Sequence, residues 1–463
     1  MSLLHYVGAV MVLVLITAVG IYSGRRVRTA GDFNTGGRGA GTGVVMGSII
    51  GTLVGGASTI GTAQLAFNYG FSAWWFTLGS GIGCLALAIC FSRPLYESGI
   101  STMPQIFARE YGQKSSTAAT LLTSLGSFLS IVSQVLSGVA LMTSVSGIGP
   151  LASTFVIAIL MLAYVVFGGV WGIGYVGVAK TILLYVSVGI CGVTAIGLQG
   201  GVAVFRSLLP AERYFNLFAR GFAVDMGAGL SLLVGVLTTQ SYIQALISAR
   251  SLRASRTGIL LSAALIPFVG IAGIFVGMYM KLNYPDISSG SALPLFIMRH
   301  LHPLAGGVIL ATLLVGVIGT GSGMALGLSS MLCNDIYRVY INKNASDKRN
   351  LLMSRLVIAA ILACAVSFST GNLGSLILGW SFLSMGLRGA VAFGPLCTAI
   401  FLKGRIPDRF VLAAMIAGPV FVMVGKFALP SGIDPLFPGM AANILILCAG
   451  YAIGKRRIPS DRE

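Results

Sequence analysis

The chain has 463 residues, 56% of them hydrophobic and only 9% charged, with a mean hydropathy of +0.91. A water-soluble domain of this length does not show that balance, so composition alone assigns an all-α membrane protein. The net charge of +18 follows the loops of that topology, which excludes a nucleic-acid partner. Seven scattered cysteines without CxxC spacing read as buried small hydrophobes. Three histidines, His5, His300 and His302, two of them in one connecting segment, are too few for a metal centre.

Runs long enough to cross a lipid bilayer number thirteen, at about 3–23, 42–67, 71–92, 116–145, 150–169, 175–198, 222–246, 257–281, 304–333, 352–369, 373–402, 409–430 and 437–454. The first lacks the basic start and small-residue cleavage site of a secretory signal, so it is expected to be kept as a membrane helix. Loops are short, which predicts a single membrane domain over 1–463. With the N-terminus outside, twenty-two Lys/Arg fall in inner segments and six in outer ones. That bias predicts a multi-pass protein of the plasma or inner membrane, N-terminus out and C-terminus cytoplasmic.

Within the second run, Gly55-Gly56-Ala57-Ser58-Thr59-Ile60-Gly61 interrupts the apolar pattern. Backbone at membrane depth unwinds only where protein encloses it, and there its carbonyls can hold a cation. Close helix packing through small residues is the competing reading. Two basic residues fall inside spans. Lys180, one turn into the sixth, either snorkels to the interface or faces a cavity; Arg388, flanked by Gly386 and Gly389, either caps backbone carbonyls or faces one. Asp225, a turn into the seventh span, reads as a helix-start charge in preference to an ion ligand.

Tyr164-Val165-Val166-Phe167-Gly168-Gly169-Val170-Trp171, with a new span opening at Tyr175, resembles the signature of the sodium:solute symporter family. Gly56-Ala57-Ser58-Thr59 resembles that family's first core helix. Gln240-Ser241-Tyr242-Ile243-Gln244 with Ser248-Ala249-Arg250-Ser251 resembles its sixth, Ser329-Ser330 with Asn334-Asp335-Ile336-Tyr337-Arg338 the end of its eighth, and Ala392-Phe393-Gly394-Pro395 its tenth. The resemblance implies a LeuT-like, 5+5 inverted-repeat core: a leading helix at 3–23, a first repeat at 42–198, a second at 222–402 and two trailing helices at 409–454. It implies a secondary active transporter working by alternating access, not an enzyme, with no organic cofactor and a monomeric functional unit.

By motif, the family's sodium site maps to the carbonyls of Ala57 and Ile60 and to Gly316, Gly319 and Thr320; Na+ is the only metal expected. Neutral oxygens suit such a hard cation. Two departures stand out. Gly319-Thr320 replaces an adjacent pair of hydroxyls, and Gly177 replaces a carboxylate found in many members. Lys180 follows Gly177 by nearly one turn, so both project to one side. Some sodium-independent transporters of this fold place a lysine amine from this helix where sodium would sit. Lys180 is therefore expected to point between Ala57, Ile60, Gly316 and Thr320. Burial favours the neutral amine, which brings H+ into consideration as the coupling ion. Sodium symport is the leading expectation; proton-coupled or sodium-independent transport is the alternative, and a transport-inactive sensor the remote one.

For the solute, the resemblance points to Thr59, Gln64, Thr239 and Gln240, with Tyr242 as an inner gate; a helix–helix hydrogen bond is the alternative role for Gln64. Arg388, facing the cavity beside Gln64 and Gln240, would bind a planar carboxylate bidentately. The expected solute is accordingly a small organic anion.

Overall fold

The computed structural model describes residues 2–24, 38–430 and 432–455, with the side chains of 21–24, 166–174, 347 and 455 excepted. Arg25, Arg26, Arg28, Arg456, Arg457 and Arg462, together with the side chains of 166–171 in the Tyr164 motif, lie outside the described residues. Among the described residues the backbone is helical, and one isolated bridge, Ala40 to Ala249, is the sole strand-like pairing.

In chain order the principal helices are α1 (Leu3–Gly24), α2 (Thr42–Leu53), α3 (Thr62–Tyr69), α4 (Trp75–Ala86), α5 (Pro104–Ser146), α6 (Pro150–Leu198), α7 (Phe222–Leu237), α8 (Gln240–Ile247), α9 (Leu252–Asn283), α10 (Ala292–His300), α11 (Pro303–Met331), α12 (Asp347–Thr370), α13 (Ile377–Phe401), α14 (Asp408–Ala428) and α15 (Leu436–Lys455). Each of the thirteen apolar runs lies mostly on helix, but helix continuity does not reproduce a count of thirteen. Among the described residues, ten helices are long and apolar enough to cross a membrane, or eleven with a bent pair counted as one span. The run at 116–145 begins earlier, at Pro104, across a kink at Gly112 (φ 78, ψ 170). The runs at 150–169 and 175–198 share α6, whose 49 residues, at about 1.5 Å each, exceed two bilayer cores of roughly 30 Å.

Two breaks position everything that follows. α2 stops at Leu53, where Val54 turns extended (φ −91, ψ 97), and the chain re-enters helix through a π turn at Ala57–Gly61 before α3. The equivalent first helix of the second half breaks at Thr238-Thr239, where α7 and α8 meet at 43°. α5 packs along α13, and α6 packs against both α2 and α11. Glycines set the closest approaches, because helices in lipid associate through shape and not through water exclusion. A Cβ on Gly177 would lie 2.2 Å from the Gly47 carbonyl, and one on Gly307 2.0 Å from the His5 carbonyl.

The junction before α15 carries a titratable group outside the spans. Asp434 accepts from the Leu436 amide at 2.8 Å. Burial pushes its carboxyl up to about 6, against the opposing pull of that amide and of Arg220. Because the folded value lies above the unfolded 3.8, this group's favourable contribution is full at low pH and lost as pH rises through about 6. Asp434→Asn keeps the capping oxygen. It should leave thermal stability near pH 4 unchanged or lower and raise it above pH 7; equal melting shifts at both pH values would contradict the assignment.

Candidate functional site

The first break frees carbonyls that a continuous helix would consume. In an unbroken α2 the Gly51 and Thr52 carbonyls would accept from the amides of Gly55 and Gly56. Instead the Gly55 amide donates to Ser58 Oγ at 2.9 Å, and the Gly56 amide donates to Gln134 Oε1 at 2.9 Å, from α5. Ser58 and Gln134 thus hold the strand of unwound chain open, and the Gly51 carbonyl is left facing α6 and α11.

Lys180 fills that place. It is 2% exposed, and its Nζ donates to Gly51 O at 2.6 Å, Gly316 O at 3.0 Å and Thr320 Oγ1 at 2.9 Å. Thr320 Oγ1 also donates to Gly51 O at 3.1 Å. An ammonium has three donors and here all three are used. Of the five expected cation-site residues, Gly316 and Thr320 surround the amine, and Gly319 borders it. A Cβ on Gly319 would sit 3.6 Å from both Lys180 Nζ and Tyr164 Oη. Ala57 and Ile60 do not take part. Ala57 O accepts from Thr62 Oγ1 at 3.4 Å inside the π turn, and the carbonyl from the broken helix is Gly51, six residues earlier. The amine meets Gly51 because the helix ends before the glycine pair and not within the segment after it. Gly177, where the carboxylate is missing, lies against the Gly47 backbone with no space for a side chain.

The expected solute residues are dispersed. Thr59 Oγ1 donates to Gly55 O at 2.8 Å. Gln64 Oε1 accepts from the Ile377 amide at 3.0 Å, capping the start of α13; this is the helix–helix role. Thr239 Oγ1 donates to Gly235 O at 2.5 Å. Gln240 accepts from the Met103 amide at 2.8 Å and donates to Ser101 O at 3.2 Å, joining α8 to the start of α5. Tyr242 is fully buried.

Arg388 does not share a cavity with Gln64 and Gln240. It is fully buried between α13 and α5, donating from Nε to Ser384 O at 3.3 Å and from Nη2 to Ser130 Oγ at 3.0 Å, Ser384 Oγ at 3.1 Å and Met385 Sδ at 3.0 Å. Gln64 meets α13 eleven residues earlier, about 16 Å along the axis at 1.5 Å per residue. The expected three-residue carboxylate site is therefore not assembled. Asp225 stands in the first turn of α7, paired with Arg220 at 2.6 Å and accepting from Ser72 Oγ at 2.6 Å, as a helix-start charge.

Several polar residues outside the expected set define the middle of the molecule. Ser130, Ser133, Gln134 and Ser137 of α5 are all buried, and Ser133 Oγ accepts from Ser381 Oγ of α13 at 2.9 Å. Their spacing of three and four places them on one helix face. That polar stripe inside an apolar run was the available sequence signal.

Two helices broken in mid-course, the first leaving its Gly51 carbonyl to a buried lysine amine, are the pattern of a membrane carrier with discontinuous helices. The sodium:solute symporter family model matches residues 33–418, and the chain belongs to that family. It is 24% identical to the high-affinity proline transporter PutP of Bacillus subtilis, over 92% of this chain and 93% of that protein. It is 23% identical to the sodium/sialic acid symporter NanT of Aliivibrio fischeri, over 97% and 91%. A solved structure of a Na+-coupled sialic acid symporter in its substrate-bound outward-open state superposes with a TM-score of 0.83 at 18% identity, covering 99% of both chains. The fold is accordingly the LeuT-like inverted repeat, and the protein is a multi-pass membrane symporter of small solutes, not an enzyme.

Proposed function

We propose that this symporter carries its own cation at the family's ion site, the Lys180 ammonium, and that proton exchange on this amine takes the place of sodium binding there. The observation that carries the reading is the complete use of the ammonium's donors by Gly51 O, Gly316 O and Thr320 Oγ1. A sodium ion at that place needs the same oxygens in direct contact, in place of its water, so ion and ammonium exclude one another. The glycines at 177 and 319 agree with this, since each removes an oxygen that would favour a metal ion.

The solute, on this reading, is a small neutral or zwitterionic molecule bound near the breaks at Thr59 and Thr239. The support is negative in charge terms: Lys180 is committed to the ion site, Arg388 to α5 hydroxyls, and both glutamines to backbone caps. The solutes that name those relatives include proline and sialic acid, which differ in charge and so do not choose for this chain. The loop charges support an N-terminus outside and a cytoplasmic C-terminus.

Purified protein in proteoliposomes tests the coupling. Uptake should respond to an imposed proton gradient and not to a sodium gradient at constant pH. Accumulation driven by sodium alone would overturn the Lys180 reading. In the same vesicles, competition by neutral and zwitterionic compounds but not by organic anions is the expected pattern; the reverse pattern would return the solute to the anionic class.

A further inference from the structure

We infer that a cavity between the helical turn Ser92–Glu97, α5 and the end of α13 is a binding site for the headgroup of an anionic membrane phospholipid. The inference stands apart from how transport is coupled. The cavity holds about 500 Å³ and is lined by Arg93, Glu97, Arg109, Glu110 and Lys403, with Ile106 and Phe401 in its apolar wall. On the orientation that the loop charges support, this rim lies in the cytoplasmic leaflet, where anionic lipids are met.

Local geometry brings these charges to one space. Gly99, at φ 69, reverses the chain between the turn and α5, and Arg109 Nη1 donates back across that reversal to the Ser98 carbonyl. Lys403 follows the end of α13, beside a second left-handed glycine, Gly404 at φ 69. The charges do not balance. Arg93 and Glu97 neutralise each other at 2.9 Å. Glu110 then stands against two cations, Arg109 and Lys403, and the ion pairs among the described residues include none of the three. A phosphodiester carries the one negative charge that is lacking. An arginine has five donors and Ser98 takes one, so the guanidinium keeps N–H groups for phosphate oxygens.

The apolar wall assigns that phosphate to a lipid. Phe401 and Ile89 are each 57% exposed, and Ile89 stands one turn before Arg93 on the same helix face. The Phe401 ring meets Phe91 edge-on at 5.7 Å. Exposed apolar surface thus runs from the cavity onto the membrane spans, a path for an acyl chain that a soluble phosphate would not use. A headgroup held by Arg109 and Lys403 ties the start of α5 to the end of α13, so its binding should also stabilise the fold.

The experiment measures binding of phosphatidylglycerol with a fluorescent tail to the detergent-solubilised transporter, and the melting temperature in micelles with and without phosphatidylglycerol. Saturable binding is expected, displaced by unlabelled phosphatidylglycerol but not by phosphatidylcholine or inorganic phosphate, with a higher melting temperature in the phosphatidylglycerol micelles. Neutralising either cation, Arg109→Gln or Lys403→Gln, should weaken binding about fivefold. Glu110→Gln should tighten it by a similar factor, a gain that misfolding cannot imitate, so the test holds even where a loss variant fails to fold. Lys348→Gln removes an exposed cation at the start of α12, outside the cavity, and should change neither reading. Displacement by inorganic phosphate would overturn the lipid assignment. Losses in Lys348→Gln equal to those of the cavity variants would overturn the site, by reducing it to the general attraction of a basic surface. Absence of saturable binding by the unaltered chain would overturn it outright.

Discussion

Replacing Lys180 with alanine should abolish the response of uptake to a proton gradient and lower transport at least about tenfold, the equivalent of roughly 1.4 kcal/mol. The amine bonds at once to α2 and α11, through Gly51 and Gly316, with Thr320 as its third partner. Its loss removes the positive charge that holds the broken helix against the second repeat. Thr320 keeps its own bond to Gly51 O, so the oxygens stay clustered around a void. That void can be refilled. Gly319→Ser adds a hydroxyl where a Cβ meets Lys180 Nζ and Tyr164 Oη at 3.6 Å, an ordinary contact. The double variant Lys180→Ala/Gly319→Ser then offers two carbonyls and two hydroxyls, a donor set suited to a hard cation. Uptake in this double variant should become sodium-stimulated, measured in the same vesicles with a sodium gradient at fixed pH. Sodium-driven uptake by the parent chain that survives Lys180→Ala unchanged would sink the proposal.

The sequence pointed to this place because a glycine pair and hydroxyls at mid-span contradict a lipid-facing helix, and because Lys180 lacks a carboxylate at Gly177. It misjudged which carbonyl the lysine would meet. The unwinding is decided by where amides find other acceptors, and the deciding acceptor for Gly56 is Gln134, 78 residues away in sequence. No local pattern carries that pairing. Arg388 failed for a related reason. Its depth in the membrane was legible, but its direction depends on Ser130 and on the close approach at Gly126, both from another helix. Helix continuity was equally hidden, since apolar runs mark where lipid is met and not where backbone hydrogen bonding stops. α6 runs through a boundary that hydropathy drew between 169 and 175.

A methyl group at Gly56 should disable the carrier almost as fully as loss of Lys180. Gly56 has ordinary right-handed helical angles (φ −61, ψ −39), so no backbone strain explains a glycine there. Space does. A Cβ would lie 2.3 Å from Ser137 Cβ, 2.6 Å from Ser137 Oγ and 2.8 Å from Val317 Cγ2. Ser137 Cβ is fixed to its helix and cannot swing aside, so α5 itself has to move. Overpacking of this kind costs about 1–3 kcal/mol. The displacement also draws Gln134, one turn earlier on α5, away from the Gly56 amide. Without that acceptor the amide returns to the Thr52 carbonyl, and the break that exposes Gly51 tends to close. Gly56→Ala should thus lower the melting temperature and reduce uptake at least about tenfold. Pairing it with Ser137→Gly removes the two nearest atoms, leaving the Val317 methyl as the one remaining close contact, and should restore much of both. Ser137→Gly alone should have a small effect, because its hydroxyl bonds only to Ser133 O at 2.8 Å within the same helix. Normal uptake by Gly56→Ala, or failure of Ser137→Gly to rescue a correctly folded double variant, would show that packing against α5 does not hold the break open.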